Sequence, residues 1–354
     1  MIPLARPWMT EAEEMAARDV LRSGWLATGP KTEAFEAGMA ERTGRAEAVA
    51  SSSGTAALEL ALRALGVGPG DEVLCPALTW PSPAHAVVRL GARVVLVDVD
   101  PGEWNATAEA FAGARTERTK AAIVIDQFGN PARGAAIAEA LEGVSIVEDA
   151  ACALGSRFAD GSPCGSLGAI GCFSLHPRKI ISCGEGGVCV TDDPSLAEAM
   201  RVMRNHGQRG PADFAAPDGN LRLSDLAAAV AVAQLGRLGE ILGARRRHAV
   251  AIRERLGGRY QLQQSPPGST PNHQTLGACL PEDRDREAFI AAAAERGVQI
   301  GRLSYAVDRL GQVGEQGPLP VAHGLDERGI ALPLFGTMSE SERDTVIEVL
   351  EALA

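Results

Sequence analysis

The sequence contains very little lysine. Of its 34 basic residues only Lys31, Lys120 and Lys179 are lysines, and the others are arginines. Chemistry that needs a side-chain primary amine, such as a Schiff base with an aldehyde, therefore has only three possible hosts in this chain. Of these, only Lys179 lies in a loop that follows an apolar run and ends in a glycine-rich segment, 184–187.

Several other features are missing. The formal net charge of −11 gives no surplus of basic residues, so we expect no nucleic-acid-coating surface. No apolar run reaches the roughly 18 residues of a membrane helix, and the polar, proline-broken start does not resemble a signal peptide. The seven cysteines form no CxxC pair and no Cys/His metal spacing. We therefore expect a cytoplasmic protein with reduced thiols, no metal site and no membrane contact.

The length and the order of the elements predict an α/β fold. Apolar strands are predicted at 72–76, 92–98, 120–126 and 144–147, with helices at 53–65, 83–90 and 132–141 between them. Strands of this kind, separated by helices, predict a mostly parallel central sheet covered on both faces. Later strands at 169–175 and 188–191 flank the Lys179 loop. We expect a large domain at 1–240 and a smaller C-terminal α+β domain at 241–354.

The rest of the chain is predicted to be mainly helical. Helices are expected at 194–205 and 224–256, the latter as one long helix or two joined ones, and at 283–295. Strands are expected near 275–280 and 329–334. Ser339 and Glu342 have the spacing of a capping box for a last helix.

Asp149 and Lys179 together suggest a cofactor site. Asp149 ends an apolar strand, where its carboxylate could pair with the ring nitrogen of pyridoxal 5′-phosphate (PLP), and Lys179 could form a Schiff base with the cofactor aldehyde. Glu148 is the competitor for this role, because strand alternation directs only one of the two side chains toward the site. A strand-end Asp that caps a turn and a solvated loop lysine remain the structural alternatives.

Two further segments fit the same cofactor. Gly54 and Thr55 open a helix after Ser53, where backbone N–H groups suit a phosphate, and Ser174 could add a hydroxyl. Trp80 follows a strand end and could lie flat on the pyridine ring; the alternative is a core or interface tryptophan. An ordinary N-cap is the alternative for the first segment.

The sequence lacks the motifs of other well-known enzyme and metal sites. The glycine-rich run at 66–70 contains a proline and precedes a strand, so it is not a dinucleotide fingerprint. No GxSxG, HExxH or P-loop motif is present. His176 and His206 lack the spacing of zinc ligands.

Motifs along nearly the whole chain resemble the DegT/StrS-type aminotransferases, which are fold type I PLP enzymes that act on keto sugars. The resemblance rests on the segments 2–7, 23–30, 53–58, 68–73, 76–80, 148–151, 165–168, the Lys179 loop, 204–207, 220–224 and 331–335.

The resemblance implies roles for eight residues. Lys179 is the Schiff-base lysine, and Asp149 binds the pyridine nitrogen. Trp80 stacks on the ring beside Cys152. The remaining four contact the phosphate: Gly54, Thr55 and Ser174 in the same chain, and Asn205 toward the cofactor of a neighbouring subunit. The implied assembly is a homodimer with shared active sites.

The resemblance also implies the reaction. An amino acid, with glutamate as the expected donor, passes its amino group to a keto sugar, and the run at 184–187 favours a nucleotide-linked 4-keto-6-deoxyhexose aminated at C4. We expect the arginines 178, 201, 204 and 209 to cluster near the mouth of the pocket, where they would bind the diphosphate.

The chain departs from the family pattern at two places. Cys152 stands where many members have Gln, and the segment 300–308 lacks the usual His. These departures leave open a PLP-dependent dehydratase or other lyase, and a transaminase of a non-sugar ketone. Related dehydratases carry His in place of the Schiff-base lysine, so Lys179 favours transfer. A non-catalytic PLP-binding regulator is the third alternative.

Overall fold

The computed structural model describes all residues from 1 to 354. It contains twelve α-helices: α1 Glu11–Ser23, α2 Pro30–Thr43, α3 Gly54–Ala64, α4 Ser82–Arg89, α5 Ala108–Ala114, α6 Gly134–Ala140, α7 Pro194–Arg204, α8 Asp225–Gly236, α9 Leu238–Leu256, α10 Arg286–Glu295, α11 Pro320–Arg328 and α12 Glu340–Leu353. Single 3₁₀ turns occur at Gln127–Gly129 and Val307–Leu310.

The strands form one large sheet, one smaller sheet and two short pairs. They are β1 Glu47–Ser51, β2 Glu72–Pro76, β3 Leu78–Thr79, β4 Arg93–Val97, β5 Thr119–Ile125, β6 Ser145–Asp149, β7 Ile170–Ser174, β8 Gly187–Thr191, β9 Gln208–Gly210, β10 Asp213–Phe214, β11 Gln261–Leu262, β12 Leu276–Cys279, β13 Gly301–Arg302, β14 Tyr305–Ala306 and β15 Gly329–Leu332.

The seven-stranded sheet has the order β1-β8-β7-β6-β5-β2-β4. The neighbours from β4 to β7 pair in parallel, whereas β8 pairs antiparallel with β7 and with β1. Strands β2, β5 and β6 are buried because helices cover both faces of the sheet. This burial explains their continuous apolar sequences. The predicted α/β class is therefore confirmed.

Separate apolar clusters lie on the two faces of this sheet. Helices α3, α4 and α7 pack on one face, together with residues of α11. On the other face, α2, α8 and the start of α9 form one cluster, and α5 and α6 form another. The carboxyl ends of the central strands stay free of helices at the edge where the parallel strands end, which is the usual place for a ligand in such a sheet.

The C-terminal part forms a second sheet of order β11-β12-β15-β13, which is antiparallel throughout. Helices α9, α10 and α12 supply the buried side chains that pack with it. Because α9 spans Leu238–Leu256, it crosses residue 240, and the domain boundary set at that number stays a prediction. The short strand β14 pairs with β3 and so fixes the C-terminal segment beside the main sheet.

The predicted helix at 224–256 is two helices. They are bent by 61° between Gly236 and Leu238, where Arg237 is the junction. No single helix is long and apolar enough to cross a membrane, although this bent pair meets the length and composition test when taken together. Helix α10 begins at Arg286 with Asp285 as its N-cap, which is later than the predicted start at 283. The capping box of Ser339 and Glu342 is present.

Candidate active site

A cavity of about 430 Å³ lies where the central strands end. Residues just after β2, just after β5 and at the end of β6 line it, together with the N-terminal arm and the start of the C-terminal unit. Seven of the eight residues predicted for the cofactor site reach this cavity: Gly54, Thr55, Trp80, Asp149, Cys152, Ser174 and Lys179. The eighth, Asn205, does not line it.

The loop between β7 and β8 holds Lys179 in place. The Lys179 N–H donates to the carbonyl of His176 at 2.8 Å, and the hydroxyl of Ser182 donates to the carbonyl of Leu175 at 2.9 Å. Lys179 is half-buried, and its Nζ lies 3.1 Å from the Sγ of Cys152. The amine is therefore positioned in the cavity. The alternative, a lysine solvated on the surface of a loop, does not apply.

Asp149 is buried at the end of β6 and faces the same cavity. Burial raises the pKa of its carboxyl, and the opposing influences are the N–H of Ala151, which donates to Oδ1 at 3.0 Å, and the charge of Lys179. A cationic group placed against the carboxylate would lower this pKa again. Asp149 is thus suited to hold a protonated ring nitrogen.

Glu148 points away from the cavity, so strand alternation selects Asp149. The Glu148 carboxylate accepts hydrogen bonds from the N–H groups of Gly165 at 2.5 Å and Leu167 at 2.6 Å. Asp126 and the thiol of Cys164 adjoin it, and the ligand atoms of these three residues lie within 4.8 Å of one another.

The acid pair Asp126–Glu148 is fully buried. Burial raises the pKa of Asp126 to about 6 and that of Glu148 well above its ordinary value. One oxygen of Asp126, Oδ2, has no hydrogen-bond partner, whereas Oδ1 accepts from the N–H of Ala132 at 2.8 Å. Two carboxyl groups so close in a dry interior cannot both ionise at little cost, so the pair shares a proton.

The amino-terminal end of α3 forms the candidate phosphate cup. The Ser53 hydroxyl accepts from the N–H of Ala56 at 3.1 Å, which leaves the first helical N–H groups for another acceptor. The Thr55 and Ser82 hydroxyls lie 2.8 Å apart at the same helix end. A Cβ on Gly54 would come within 2.8 Å of the Cβ of Ser174, so glycine lets β7 approach this helix end closely.

Trp80 forms a wall of the cavity. Its side chain is 60% exposed in the single chain, which excludes a core tryptophan. The Trp80 ring meets the Tyr305 ring edge-on, with centroids 5.6 Å apart and an interplanar angle of 68°. The guanidinium of Arg302 lies over the Tyr305 ring, 5.2 Å from its centroid. The same guanidinium forms an ion pair with Asp326 at 2.8 Å. The Trp80 indole is thereby oriented from one side.

Asn205 lies outside the cavity of its own chain. It forms a β-bridge with Asn220, and its Nδ2 donates to Gln208 at 3.2 Å, while Arg222 donates to its Oδ1. Its contact with a neighbouring subunit's cofactor stays a prediction.

The expected cluster of four arginines is not formed. Only Arg178 lines the cavity. Arg201 pairs with Glu47 at 2.6 Å, and Arg204 is buried against Glu36 and a strand carbonyl, because both belong to the helix face that packs on β1. Arg209 is exposed and also lies outside the cavity.

Several residues that line the cavity were not predicted from the sequence. Gln274 lines the cavity, and its Nε2 donates to the carbonyl of Arg178 at 2.7 Å, which ties the C-terminal unit to the Lys179 loop. Gln127 and Arg302 also line it. No local sequence signal marks Gln127 and Gln274, because only the tertiary fold brings them to the strand ends. Arg302 lies in the segment 300–308, where the chain departs from the family pattern.

The groups in the cavity match the chemistry of PLP. An amine is available for the aldehyde, a buried carboxylate for the ring nitrogen, an exposed indole for the ring face, and a helix terminus with hydroxyls for the phosphate. The four groups come from β6, the loop after β7, the segment after β3 and the start of α3.

Comparisons with known proteins point in the same direction. The model of the DegT/DnrJ/EryC1/StrS aminotransferase family matches residues 7–351. The aminotransferase TlmJ from Streptoalloteichus hindustanus is 36% identical, with a TM-score of 0.94 over 100% of this chain and 98% of TlmJ.

Two other solved structures are similar. Spr1654 from Streptococcus pneumoniae, described as a sugar aminotransferase and solved in a PLP form, is 28% identical, with a TM-score of 0.94 over 100% of this chain and 99% of its own. DesV from S. venezuelae, solved with a ketimine intermediate, is 30% identical, with a TM-score of 0.91 over 99% of this chain and 98% of its own.

Proposed function

Because this chain belongs to the DegT/DnrJ/EryC1/StrS aminotransferase family, we propose that it transfers an amino group from glutamate to a nucleotide-linked 4-keto-6-deoxyhexose. Membership confirms the predicted fold type I architecture, the PLP cofactor and the class of enzyme. The identity of donor and acceptor is the part proposed here.

The observation that carries the proposal is the placement of Lys179 and Asp149 in one cavity. PLP, when bound, supplies an electron sink for the bond electrons released at the donor's Cα. The Asp149 carboxylate would hold the ring nitrogen protonated, which that function requires. The freed amine of Lys179 takes the Cα proton and later returns one, as a general base and acid.

Other residues orient the reactants. The start of α3 and the Ser174 hydroxyl would hold the phosphate end, and Trp80 would restrict the ring plane from one side. The Gln274 hydrogen bond to the Arg178 carbonyl keeps the Lys179 loop in register with the C-terminal unit. Fixed geometry of this kind supplies much of the rate in a reaction whose bond chemistry belongs to the cofactor.

Arg178, in the loop after β7, supports a sugar acceptor that carries a negative charge. Arg178 is exposed at the cavity and enters no ion pair within the chain, whereas Arg302 is neutralised by Asp326. A free guanidinium at the mouth suits the diphosphate of a nucleotide sugar. Spr1654 is described as a sugar aminotransferase, which supports the same class of acceptor.

The alternatives differ in what they require of Lys179. A dehydratase of this fold replaces the lysine, so its presence here favours amino transfer. A non-sugar ketone as acceptor would not need Arg178. We also propose a homodimer, supported by large apolar side chains that are exposed in the single chain, Trp25, Leu26 and Phe214. The free cysteines support the proposal of a cytoplasmic location.

An acceptor panel tests the proposal. Purified holoenzyme is supplied with glutamate and, in separate reactions, nucleotide-linked 4-keto sugars, nucleotide-linked 3-keto sugars and simple cyclic ketones, and 2-oxoglutarate is measured. We expect turnover with the 4-keto sugars and at least a tenfold lower kcat/KM with Arg178→Gln, because one charge-assisted contact is lost (about 1.5–3 kcal/mol). Turnover only with simple ketones, unaffected by Arg178→Gln, contradicts the nucleotide-sugar assignment.

A further inference from the structure

The thiol of Cys152 contacts the amine of Lys179 inside the active-site cavity. The Nζ–Sγ distance is 3.1 Å, and both side chains line the cavity and are half-buried. At this hydrogen-bond distance the two groups can exchange a proton, and a small movement of the flexible lysine chain brings nitrogen and sulfur to bonding distance. The proposed transamination uses the amine of Lys179 and gives the Cys152 thiol no chemical part.

The backbone on each side holds the two groups in this contact. The buried Asn272 donates from Nδ2 to the carbonyls of Cys152 and Leu154, at 2.8 and 2.9 Å, and so fixes the turn after β6. The N–H of Lys179 donates to the carbonyl of His176 at 2.8 Å in the loop after β7. The Lys179 Nζ and the Cys152 Sγ have no other hydrogen-bond partner in the chain. Two separately anchored segments thus bring the thiol and the amine together.

The other six thiols of the chain lack this access. Of the seven, only that of Cys152 lines the cavity. Cys183 is half-buried, and burial raises its pKa to about 12, which keeps it protonated. The thiolate is the reactive form, and cysteines buried in apolar surroundings are inert. A small oxidant that enters the cavity therefore meets a single accessible thiol. The remaining five cysteines are buried: Cys75, Cys164, Cys172, Cys189 and Cys279.

We propose that Cys152 and Lys179 are a site of cross-linking by a small peroxide. In the first step Sγ attacks one oxygen of hydrogen peroxide, the O–O bond breaks, water leaves and Cys152 becomes a sulfenic acid. In the second step Nζ attacks Sγ, the S–O bond breaks and a second water leaves, which closes an S–N bond. A sulfenic acid condenses with a backbone nitrogen by the same chemistry. The sulfur is oxidised by two electrons, the peroxide is reduced by two, and the protein loses two hydrogens.

The S–N bond blocks attachment of the cofactor, and the block is reversible. An amine bonded to sulfur cannot form a Schiff base with the aldehyde of PLP. Two equivalents of a small thiol restore the Cys152 thiol and the Lys179 amine and leave as a disulfide. Conversely, PLP attached to Lys179 occupies the amine and protects the pair. The inference rests on the proposed Schiff-base role of Lys179 and not on the identity of the acceptor sugar.

The test follows the cross-link by mass spectrometry in the full-length protein. Apoprotein and PLP-saturated protein are treated with hydrogen peroxide and digested without reductant. The apoprotein should yield joined peptides that contain residues 152 and 179 and are two hydrogens lighter than their sum. Its capacity to form the visible Schiff base with added PLP should fall about tenfold or more, because the amine is consumed. Dithiothreitol should restore the separate peptides and this capacity, and PLP-saturated protein should yield no joined peptides.

Variants locate the reacting groups. Cys152→Ser should form no cross-link and keep its PLP capacity after peroxide, and Cys183→Ser, the control at the other half-buried thiol, should behave as the parent. Lys179→Ala should leave Cys152 as a sulfenic acid that dimedone labels. The proposal is overturned if the apoprotein yields no joined peptides, if Cys152→Ser loses PLP capacity as the parent does, or if PLP-saturated protein is cross-linked equally. A failed acceptor panel with the cross-link still formed would count against the keto-sugar assignment alone.

Discussion

At the scale of single residues, two adjacent acidic residues on β6 lie in different surroundings. Asp149 faces the cavity and Lys179, whereas Glu148 faces the interior and joins Asp126 in a buried acid pair. Strand alternation predicts that the two side chains diverge, but it does not say which one reaches the ligand. The N–H groups of Gly165 and Leu167 decide this, because they lie on the interior side and bind Glu148.

The buried acid pair predicts a pH-dependent effect of Asp126→Asn. Because the folded-state pKa of Asp126 is raised from 3.8 to about 6, the folded protein keeps this proton while the unfolded chain releases it. The parent therefore loses stability as the pH rises from about 4 to about 6, by about 3 kcal/mol when the shift is fully expressed. Asn stays neutral, so the free energy of unfolding of the variant rises relative to that of the parent over this range.

The measurement is the free energy of unfolding of both proteins from pH 4.5 to pH 8. Asp283→Asn is the control, because Asp283 is exposed. Parallel stability profiles for Asp126→Asn and the parent would show that the pair does not hold an extra proton.

The contact between Cys152 and Lys179 is a feature that residue patterns do not reveal. The sequence places it near the cofactor only through the family resemblance, and the structure adds that its thiol lies 3.1 Å from the Lys179 amine. The pairing depends on the turn after β6 and the loop after β7, which are distant in sequence. The same holds for Gln274, which no local pattern indicates.

At the scale of elements, the close approach of β7 to the start of α3 builds the phosphate cup. A Cβ on Gly54 would lie 2.8 Å from the Ser174 Cβ and 3.4 Å from its Cα, so the strand itself would have to move. Gly54→Ala should destabilise the protein by about 1–3 kcal/mol and weaken PLP binding about tenfold, because the cup opens.

The Gly54→Ala effects are measured by chemical unfolding of the apoprotein and by PLP titration. Gly236→Ala is the matched control: its new methyl group meets no atom within 4 Å near the end of α8, and it should leave PLP affinity unchanged. Unchanged PLP affinity in Gly54→Ala would mean that the cup does not depend on this contact.

The central strands were predictable, because buried parallel strands leave continuous apolar runs between turn residues. The break between α8 and α9 was left open, since Arg237 is compatible with a continuous helix and does not mark the end of one. The short pair of β14 with β3 could not be foreseen at all. It joins residues 305–306 to 78–79 through a tertiary contact alone.

At the scale of the whole molecule, the cavity is assembled from the N-terminal arm, the large sheet and the C-terminal unit. Asn205 lies outside it, and the proposed homodimer would bring it to the partner's cofactor. If Lys179 and Asn205 act in one site from different subunits, two inactive variants can complement each other.

Lys179→Ala and Asn205→Ala are each expected to be poorly active as homodimers. When equal amounts of the two chains are refolded or co-expressed together, about half of the dimers are mixed, and each mixed dimer holds one intact site. Activity should then recover to roughly a quarter of the parent value. No recovery in a mixture shown by tagged purification to contain mixed dimers would contradict the shared site.

The central claim is that Lys179 performs amino transfer. The direct measurement is the amount and the rate of 2-oxoglutarate formed per chain when PLP-loaded protein meets glutamate without an acceptor. It compares the parent with Lys179→Ala and with Lys31→Ala, since Lys31 is an exposed lysine that does not line the cavity. We predict one equivalent for the parent and for Lys31→Ala, and a rate at least about 10³-fold lower for Lys179→Ala. Formation of 2-oxoglutarate by Lys179→Ala at the parent rate would contradict the account.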